Sequence, residues 1–346
     1  MAPEKAENNC NKLAGGKMRI GKNVLAVMAA AGLCAVCAIS APKTASKTAK
    51  KTETIKLLTA NIGNMSISEA AYNRKFKAPY FDLSVIKTNL NKISPDVIFI
   101  QEIDREGLDS EKVTFPGKYS VQCSGELCVG LNKDRLEYIE DCELGDGYYL
   151  CTAHLINKSP VKEECKKEKE DYVCTAKRTL KKSEAIKLFN VHTASPLDDK
   201  DFAQRRAQIC GALEKIAAFD KEGYTVLMGG DYNYDPSRDK SSSLMKKGVI
   251  DELANLNQCW DATFSDQSGN KLRVVNSYEP TWGTREVSML GLVKKKFEKC
   301  LDHVVSNMRA EKCTIMKDDK NRLDMTPEKN KGFMDHKAVV CDMIVK

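Results

Sequence analysis

Short runs of apolar residues recur along the chain, and most of them end in a polar side chain. The runs IKLLTA (55–60), DVIFIQE (96–102) and AIKLFNVH (185–192) are examples. Continuous apolar runs of this length are typical of sheet strands that are covered on both faces. We therefore expect strands at these three positions, and further strands at 127–132, 148–155, 226–228, 300–307 and 336–345.

Apolar residues at helical spacing follow two of these strands. They are Leu83, Ile86, Leu90 and Ile93 between Asp82 and Pro95, and Phe202, Ile209, Leu213 and Ile216 after Asp198 and Asp199. This spacing places each set on one face of a helix. The order strand, helix, strand favours a sheet that is covered by helices. The charged stretch KEECKKEKED (162–171) is interpreted as a solvated loop bracketed by cysteines.

The first 56 residues have a different pattern. A basic segment begins at Met18, an apolar run extends from Val24 to Ala41, and small residues surround Ser40. This order is typical of a secretory signal peptide, and the run (24–41) is also long enough to be retained as a membrane anchor. We expect a signal peptide or anchor at 1–41, a Lys-rich tether at 42–56, and one folded domain at 57–346. The protein is then exported, whether periplasmic, secreted or membrane-anchored.

Net charge is concentrated in front of this domain. The formal charge of the whole chain is +7. Residues 1–40 carry five Lys/Arg against two Asp/Glu, and residues 41–56 carry five Lys against one Glu, so these segments contribute +3 and +4. The domain itself is therefore close to neutral. Its charge gives no support to a basic nucleic-acid-binding surface.

Cysteine usage agrees with export. Eleven of the 14 cysteines follow residue 41, and several are at hairpin-like separations: Cys123/Cys128, Cys142/Cys151, Cys165/Cys174 and Cys300/Cys313. Disulfides fit an oxidising compartment, and buried free thiols in a reducing compartment are the alternative. The pairing is not readable from the sequence, and an odd count leaves one thiol over. Neither the cysteines nor the histidines show the spacing of a zinc site.

Polar side chains at the strand ends supply the candidate chemistry. Six strands carry an Asp, Glu, Asn or His at one end: Asn61, Glu102, His192, Asp231 with Asn233, Asp302, and Asp335 with His336. Such a set predicts a shared polar rim. Carboxylates and amide oxygens suit Mg²⁺, with Mn²⁺ and Ca²⁺ as alternatives, and histidines beside acids suit proton transfer. Together these groups are suited to the hydrolysis of a phosphate ester.

The ordered motifs TANIGN, IQE, NVHTA, GGDYN, LDHV and MDHKAVV resemble the endonuclease/exonuclease/phosphatase superfamily. The resemblance covers about residues 54–346. It implies a two-sheet α/β sandwich with helices on the outer faces, as in deoxyribonuclease, and a catalytic domain at 57–346. The final motif departs from the usual SDH, because Met334 stands in the first position.

The resemblance also implies a role for each rim residue. Asn61, Glu102 and Asp335 correspond to metal-site positions, and His192 corresponds to the first catalytic histidine. Asp231 and Asn233 correspond to the pair that handles the nucleophile and the phosphate, and Asp302 to the acid that orients His336. Arg178 is a loose match to a phosphate-binding arginine. The other two histidines, His154 and His303, are interpreted as structural.

These observations predict an exported, Mg²⁺-dependent phosphodiesterase, with nuclease as the leading activity. The partner is then a phosphodiester substrate, nucleic acid being favoured over phospholipid. The near-neutral domain keeps a second reading open, in which the same site acts on a sphingomyelin-type lipid or an inositol phosphate. A third reading is a binding or toxin-accessory module without turnover. Loops such as 103–185 and 237–300, which carry no legible motif, would select the substrate.

Overall fold

The computed structural model describes residues 53–63, 83–103, 114–156, 162–168, 171–177, 181–195, 199–239, 246–282, 285–289, 293–316, 323 and 336–345. The predicted signal peptide or anchor and most of the tether lie outside the described residues. A single compact unit spans residues 51–346. Its first strand begins at Thr54, three residues before the predicted domain boundary.

Strands and helices are numbered here in chain order. The helices are α1 Leu83–Ile93, α2 Asp199–Lys221 and α3 Lys247–Phe264. The strands are β1 Thr54–Asn61, β2 Val97–Gln101, β3 Tyr119–Ser124, β4 Leu127–Asn132, β5 Leu136–Tyr138, β6 Glu143–Gly145, β7 Tyr148–Leu155, β8 Lys162–Glu168, β9 Asp171–Lys177, β10 Ala185–His192, β11 Thr225–Asp231, β12 Arg273–Val274, β13 Arg285–Met289, β14 Val293–Phe297, β15 Asp302–Ser306, β16 Arg309–Ile315 and β17 Val339–Ile344. Among the described helices, none combines the length and apolar character that crossing a membrane requires.

Two mixed sheets form the centre of the molecule. The first has the order β16-β17-β1-β2-β4-β3, and the second has the order β12-β15-β11-β10-β7-β5, with β6 paired to β7. The sheets face each other across a buried core that includes Leu57 and Phe99 from the first sheet and Leu188 and Leu227 from the second. Both faces of these strands are therefore covered, which explains why their sequences are apolar without interruption.

Helices cover the outer faces of both sheets. Ile86 and Leu90 of α1 pack in one buried cluster with Ile98 of the first sheet. Leu213 of α2 and Trp260 of α3 belong to the cluster that covers the second sheet. The predicted two-sheet α/β sandwich with outer helices is therefore confirmed. Helix α3 lies within 237–300, where the sequence predicts a substrate-selecting loop, and that prediction is wrong for residues 247–264.

One parallel pair in each sheet determines where the polar strand ends meet. Strand β1 runs parallel to β2, with Asn61 opposite Gln101, and β10 runs parallel to β11, with His192 opposite Asp231. Strand β15 runs antiparallel to β11 and places its first residue, Asp302, opposite Asp231. The ends of these strands therefore form a common rim, because parallel strands bring their carboxyl ends to the same edge of a sheet.

One sequence expectation is wrong. Residues 162–168 are not a loop, since β8 pairs antiparallel with β9 and Cys165 lies opposite Cys174. The cysteine pairing, which the sequence leaves open, does not join Cys300 to Cys313, because Cys313 is bonded to Cys341 and Cys300 is a buried free thiol. The described disulfides are Cys123–Cys128, Cys142–Cys151, Cys210–Cys259 and Cys313–Cys341.

Candidate active site

The carboxylate of Asp231 lies at the centre of the rim. Its side chain is almost fully buried, and Oδ1 accepts a hydrogen bond from the backbone N–H of Asn233 at 2.7 Å. The other oxygen, Oδ2, lies 3.5 Å from His336 Nε2 and 3.9 Å from His192 Nε2. One oxygen of Asp231 therefore fixes the orientation of the group, and the other faces two imidazole rings.

Asn61 joins Asp231 to Glu102. The Asn61 amide donates hydrogen bonds to Glu102 Oε1 at 2.8 Å and to Asp231 Oδ2 at 3.0 Å, and its oxygen accepts from the Gly63 N–H at 2.9 Å. Glu102 has a left-handed backbone, with φ of 58°. A non-glycine residue in this region costs about 1 kcal/mol or more, so the rest of the rim holds Glu102 in place.

His336 is oriented by Asp302. Its Nδ1 is 2.9 Å from Asp302 Oδ2, and both residues are buried. Asp302 is itself held by β15, and its backbone N–H donates to Thr281 Oγ1 at 3.0 Å. Because one ring nitrogen is engaged by Asp302, the other nitrogen of His336 points towards Asp231. This is the geometry by which an acid selects the tautomer of a histidine.

His192 has a comparable partner that the sequence did not reveal. Its Nδ1 lies 2.5 Å from Glu126 Oε1, and its Nε2 lies 3.5 Å from Glu102 Oε1. Glu126 stands in the turn between β3 and β4, far from His192 in the sequence. The only local signal is a carboxylate directly before the apolar run LCVGLN, which is too weak to identify a site residue.

Asn233 lies beside the site in a left-handed conformation, with φ of 47°. Its side-chain amide donates to the Thr193 carbonyl at 2.8 Å, and its own carbonyl accepts from Arg205, which is buried in α2. Gly230, two residues before Tyr232, has φ of 147°, and a Cβ there would be 1.9 Å from the Val191 carbonyl oxygen. The second glycine of GGDYN therefore allows β11 to lie close against β10.

Burial and neighbouring charges shift two pKa values at the rim. Burial lowers the pKa of His192, but the hydrogen bond to Glu126 and the charges of Asp231, Glu126 and Glu102 outweigh it and raise the value to about 9. Burial raises the pKa of Glu102, against the lowering effects of Asn61 and His192. Four carboxylates, those of Glu102, Glu126, Asp231 and Asp302, share the rim with two histidines, and this excess of acidic groups favours a bound cation.

The remaining histidines lie in other surroundings. His154 is buried in β7, with Nε2 2.8 Å from Glu137 Oε1. His303 is buried behind the rim with Nε2 2.9 Å from the Tyr234 carbonyl oxygen, and burial lowers its pKa. Both environments fit the structural interpretation of these residues.

A family model described as "Endonuclease/Exonuclease/phosphatase family" matches residues 58–307, which include most of the rim. The chain belongs to this family. Its members are hydrolases that act on phosphate esters, so the rim described above is a candidate active site of that chemistry. No curated protein sequence matches the chain.

Several solved structures are similar to this one. TDP2 from C. elegans has a TM-score of 0.51 and 13% identity, over 86% of this chain and 78% of that chain. Humanized D. rerio TDP2 with 14 mutations has a TM-score of 0.50 and 14% identity, over 84% of this chain and 98% of that chain. A functionally unknown conserved protein from Enterococcus faecalis V583 has a TM-score of 0.50 and 12% identity, over 84% and 100%. Identities this low show the fold alone.

The family uses a divalent metal, and Asn61 with Glu102 fits one. The Asn61 nitrogen lies between two carboxylates, where a positive group is favoured. A half-turn of the amide would give up the hydrogen bond from the Gly63 N–H and would turn the Asn61 oxygen towards Glu102 and Asp231. The oxygens of Asn61 and Glu102 would then suit a hard cation such as Mg²⁺.

A second group of possible ligands is formed by Asp231, Asp302 and His336, whose ligand atoms lie within 4.8 Å of one another. We interpret it as a proton-transfer group, because Asp302 already binds His336 Nδ1. Hard cations also prefer oxygen to imidazole nitrogen. The third predicted metal residue, Asp335, and the loosely matched Arg178 lie outside the described residues. Their predicted roles stay predictions.

Proposed function

We propose that the protein is an exported, Mg²⁺-dependent phosphodiesterase and that its substrate is nucleic acid. The observation that carries the proposal is the pairing at the rim. Two histidines each have a carboxylate on Nδ1 and direct Nε2 to the acidic cluster of Asp231 and Glu102. The family description, which names endonucleases and exonucleases, supports the choice of substrate.

Each rim residue has a separate role in the proposed hydrolysis. A bound Mg²⁺ would be held by Asn61 and Glu102 and would offset charge on the phosphoryl oxygens. Asp231, fixed through one oxygen, accepts a proton from the attacking water with the other. The two histidines donate hydrogen bonds to the phosphate, and each keeps its orientation through its own carboxylate.

Export is supported by the order of basic, apolar and small residues in the leader. It is also supported by four cysteine pairs at disulfide distance in the described part of the chain. Disulfides persist in oxidising compartments and are rare in reducing ones. Comparison of the mature N-terminus with the full sequence, by mass spectrometry of the exported protein, would separate cleavage from anchoring.

The experiment is cleavage of plasmid DNA and of an activated phosphodiester by the purified protein. We expect activity with Mg²⁺, none with excess EDTA, and recovery when Mg²⁺ is restored, with Mn²⁺ and Ca²⁺ tested beside it. His336→Ala should abolish activity. His154→Gln is the matched control, because His154 also pairs with a carboxylate but lies away from the rim. Cleavage that persists in His336→Ala or in EDTA would refute the proposal.

A second candidate keeps the chemistry and changes the substrate to a sphingomyelin-type lipid or an inositol phosphate. The near-neutral charge of residues 57–346 favours it, since a nuclease gains affinity from a basic groove. Parallel assays on DNA, sphingomyelin vesicles and inositol phosphates decide between the two. Failure on every substrate, with a folded protein, would instead favour a binding module.

A further inference from the structure

The carboxylate that orients His192 stands on a two-residue turn. Strands β3 and β4 remain in register up to Ser124 and Leu127, so Gly125 and Glu126 alone connect them. Gly125 has φ of 57°, the left-handed conformation that such turns require. The carbonyl of Glu126 accepts from the Ile103 N–H at 3.2 Å. The position of the Glu126 carboxylate therefore depends on how firmly this turn is closed.

A disulfide closes the same turn. Cys123 and Cys128 are the next opposed residues after Ser124 and Leu127, and they are bonded to each other. Cys128 is fully buried, and its carbonyl accepts from the Asn190 side chain at 2.9 Å. Cys123 is on β3, which is the edge strand of the first sheet. The disulfide thus ties the free end of an edge strand to a buried strand, directly beside Glu126.

We propose that the Cys123–Cys128 disulfide is a positioning device for His192 that acts through Glu126, and that its reduction lowers turnover. This inference rests on the proposed function and adds redox control to the same site. Neither cysteine is one of the rim residues. Once the cross-link is broken, Gly125 gives the turn additional conformations, and the end of β3 separates from β4. Glu126 then holds His192 Nδ1 less firmly than in the oxidised protein, and the ring keeps its preferred tautomer and direction for a smaller fraction of the time.

The redox step is ordinary thiol–disulfide exchange. A dithiol reductant attacks the protein disulfide and gives two protein thiols, while the reductant becomes a cyclic disulfide, so two electrons and two protons pass to the protein. The reverse reaction in an oxidising compartment restores the bond. The activity of the protein therefore depends on whether its compartment is oxidising or reducing.

The test compares the oxidised full-length protein with two double variants, each assayed on plasmid DNA with and without dithiothreitol. In Cys123→Ala/Cys128→Ala we expect kcat to be lower by roughly threefold to tenfold, or about 1 kcal/mol, and not to respond to reductant. The control is Cys313→Ala/Cys341→Ala, which removes another cross-strand disulfide at the opposite edge of the same sheet. It should keep full activity and the wild-type response to reductant. A loss on reduction that persists in Cys123→Ala/Cys128→Ala would overturn the proposal.

A double-mutant cycle separates positioning from general stability. In a Glu126→Gln background, removal of the Cys123–Cys128 disulfide should change kcat little, because the contact that the bond supports is already lost. The changes in KM and in the unfolding temperature should be the sum of those caused by Glu126→Gln and by removal of the disulfide. An undiminished loss in that background would show that the bond does not act through Glu126.

Hydrogen exchange supplies a readout that needs no substrate. Reduction should increase exchange at the Ile103 amide and at the turn amides 124–127, and leave β1 unchanged. Unchanged exchange at these amides would refute the inference whatever the activity. If the oxidised wild type is inactive on every phosphodiester but its hydrogen exchange still responds to reduction as expected, only the proposed function is contradicted.

Discussion

The two histidine–carboxylate pairs at the rim have the same geometry, but one carboxylate stands on a buried strand and the other on a partly exposed turn. Each histidine presents Nδ1 to a carboxylate and Nε2 to the acidic cluster. Asp302 is a sheet residue opposite Asp231, and its side chain is 1% exposed. Glu126 is a turn residue, and its side chain is 28% exposed. Water can replace a lost contact in the second pair but not in the first, so the pairs should differ in their tolerance of substitution.

The largest effect is expected at the buried pair. Asp302→Asn should lower kcat by about 10³-fold, because the amide cannot select the tautomer of His336 or stabilise its protonated ring. Steady-state kinetics on plasmid DNA would measure it, with circular dichroism to show that the variant is folded. The control is Asp220→Asn, which removes the same charge from a carboxylate that holds Asn307 and the Lys271 backbone away from the rim. A loss below tenfold in Asp302→Asn would contradict the assignment.

The next effect concerns β11, which lies between the strand of His192 and the strand of Asp302. Gly230 lies between Val191 of β10 and His303 of β15, and its Cβ would collide with the Val191 carbonyl. Gly230→Ala should therefore lower the free energy of unfolding by about 3 kcal/mol. Denaturant unfolding would measure it.

The matched control for Gly230→Ala is Gly211→Ala. Gly211 is in α2, and a Cβ there has no neighbour within 4 Å. This change should raise stability by about 0.5–1 kcal/mol, because glycine is the poorer helix former. Equal effects of the two substitutions would show that the close approach of β10 and β11 is not needed.

A smaller effect is expected at the turn pair. Glu126→Gln should lower kcat by about 30-fold, or about 2 kcal/mol, since a neutral amide holds His192 less firmly and water reaches the site. Glu137→Gln is the control, because Glu137 is the equivalent partner of His154 in the second sheet. The control should leave kcat unchanged. If Glu126→Gln costs as much as Asp302→Asn, then exposure does not distinguish the pairs.

The same contrast explains what the sequence could predict. Asp302 was identifiable because it stands at the end of an apolar run, and the antiparallel pairing of β15 with β11 brings it to the edge where β11 ends. The residues Asn61, His192 and Asp231 were identifiable for the same reason. These residues lie close together in the structure because the sheet order places the ends of their strands at one edge.

Residues that are placed by turns or side-chain packing were not predictable. Glu126 reaches His192 only because the β3–β4 turn lies beside the end of β10, a tertiary relation with no local signal. Helix α3 was missed because the residue before it, Lys246, is not a typical helix-capping residue and makes no side-chain capping hydrogen bond. The disulfide Cys210–Cys259 was missed because it joins two helices through cysteines that are 49 residues apart in sequence.

The smallest effect is expected at Arg205, which contacts the backbone of Asn233 rather than a histidine. Arg205 is 1% exposed, and its guanidinium donates to the Asn233 carbonyl and lies 3.7 Å from Asp239 Oδ2. Arg205→Lys keeps the charge but loses the planar fork of donors, so we expect about 1 kcal/mol less stability and roughly threefold lower kcat. Unfolding and steady-state kinetics would measure the two quantities.

The neighbouring arginine provides the control for this substitution. Arg206 also lies on α2, but its side chain is 36% exposed and pairs with Glu252 at the surface. Arg206→Lys should leave kcat unchanged and change stability by less than about 0.5 kcal/mol, as is usual for an exposed pair. If Arg205→Lys behaves like Arg206→Lys, then the contacts with Asp231 and Thr193 hold the left-handed conformation of Asn233, and the buried guanidinium does not support the site.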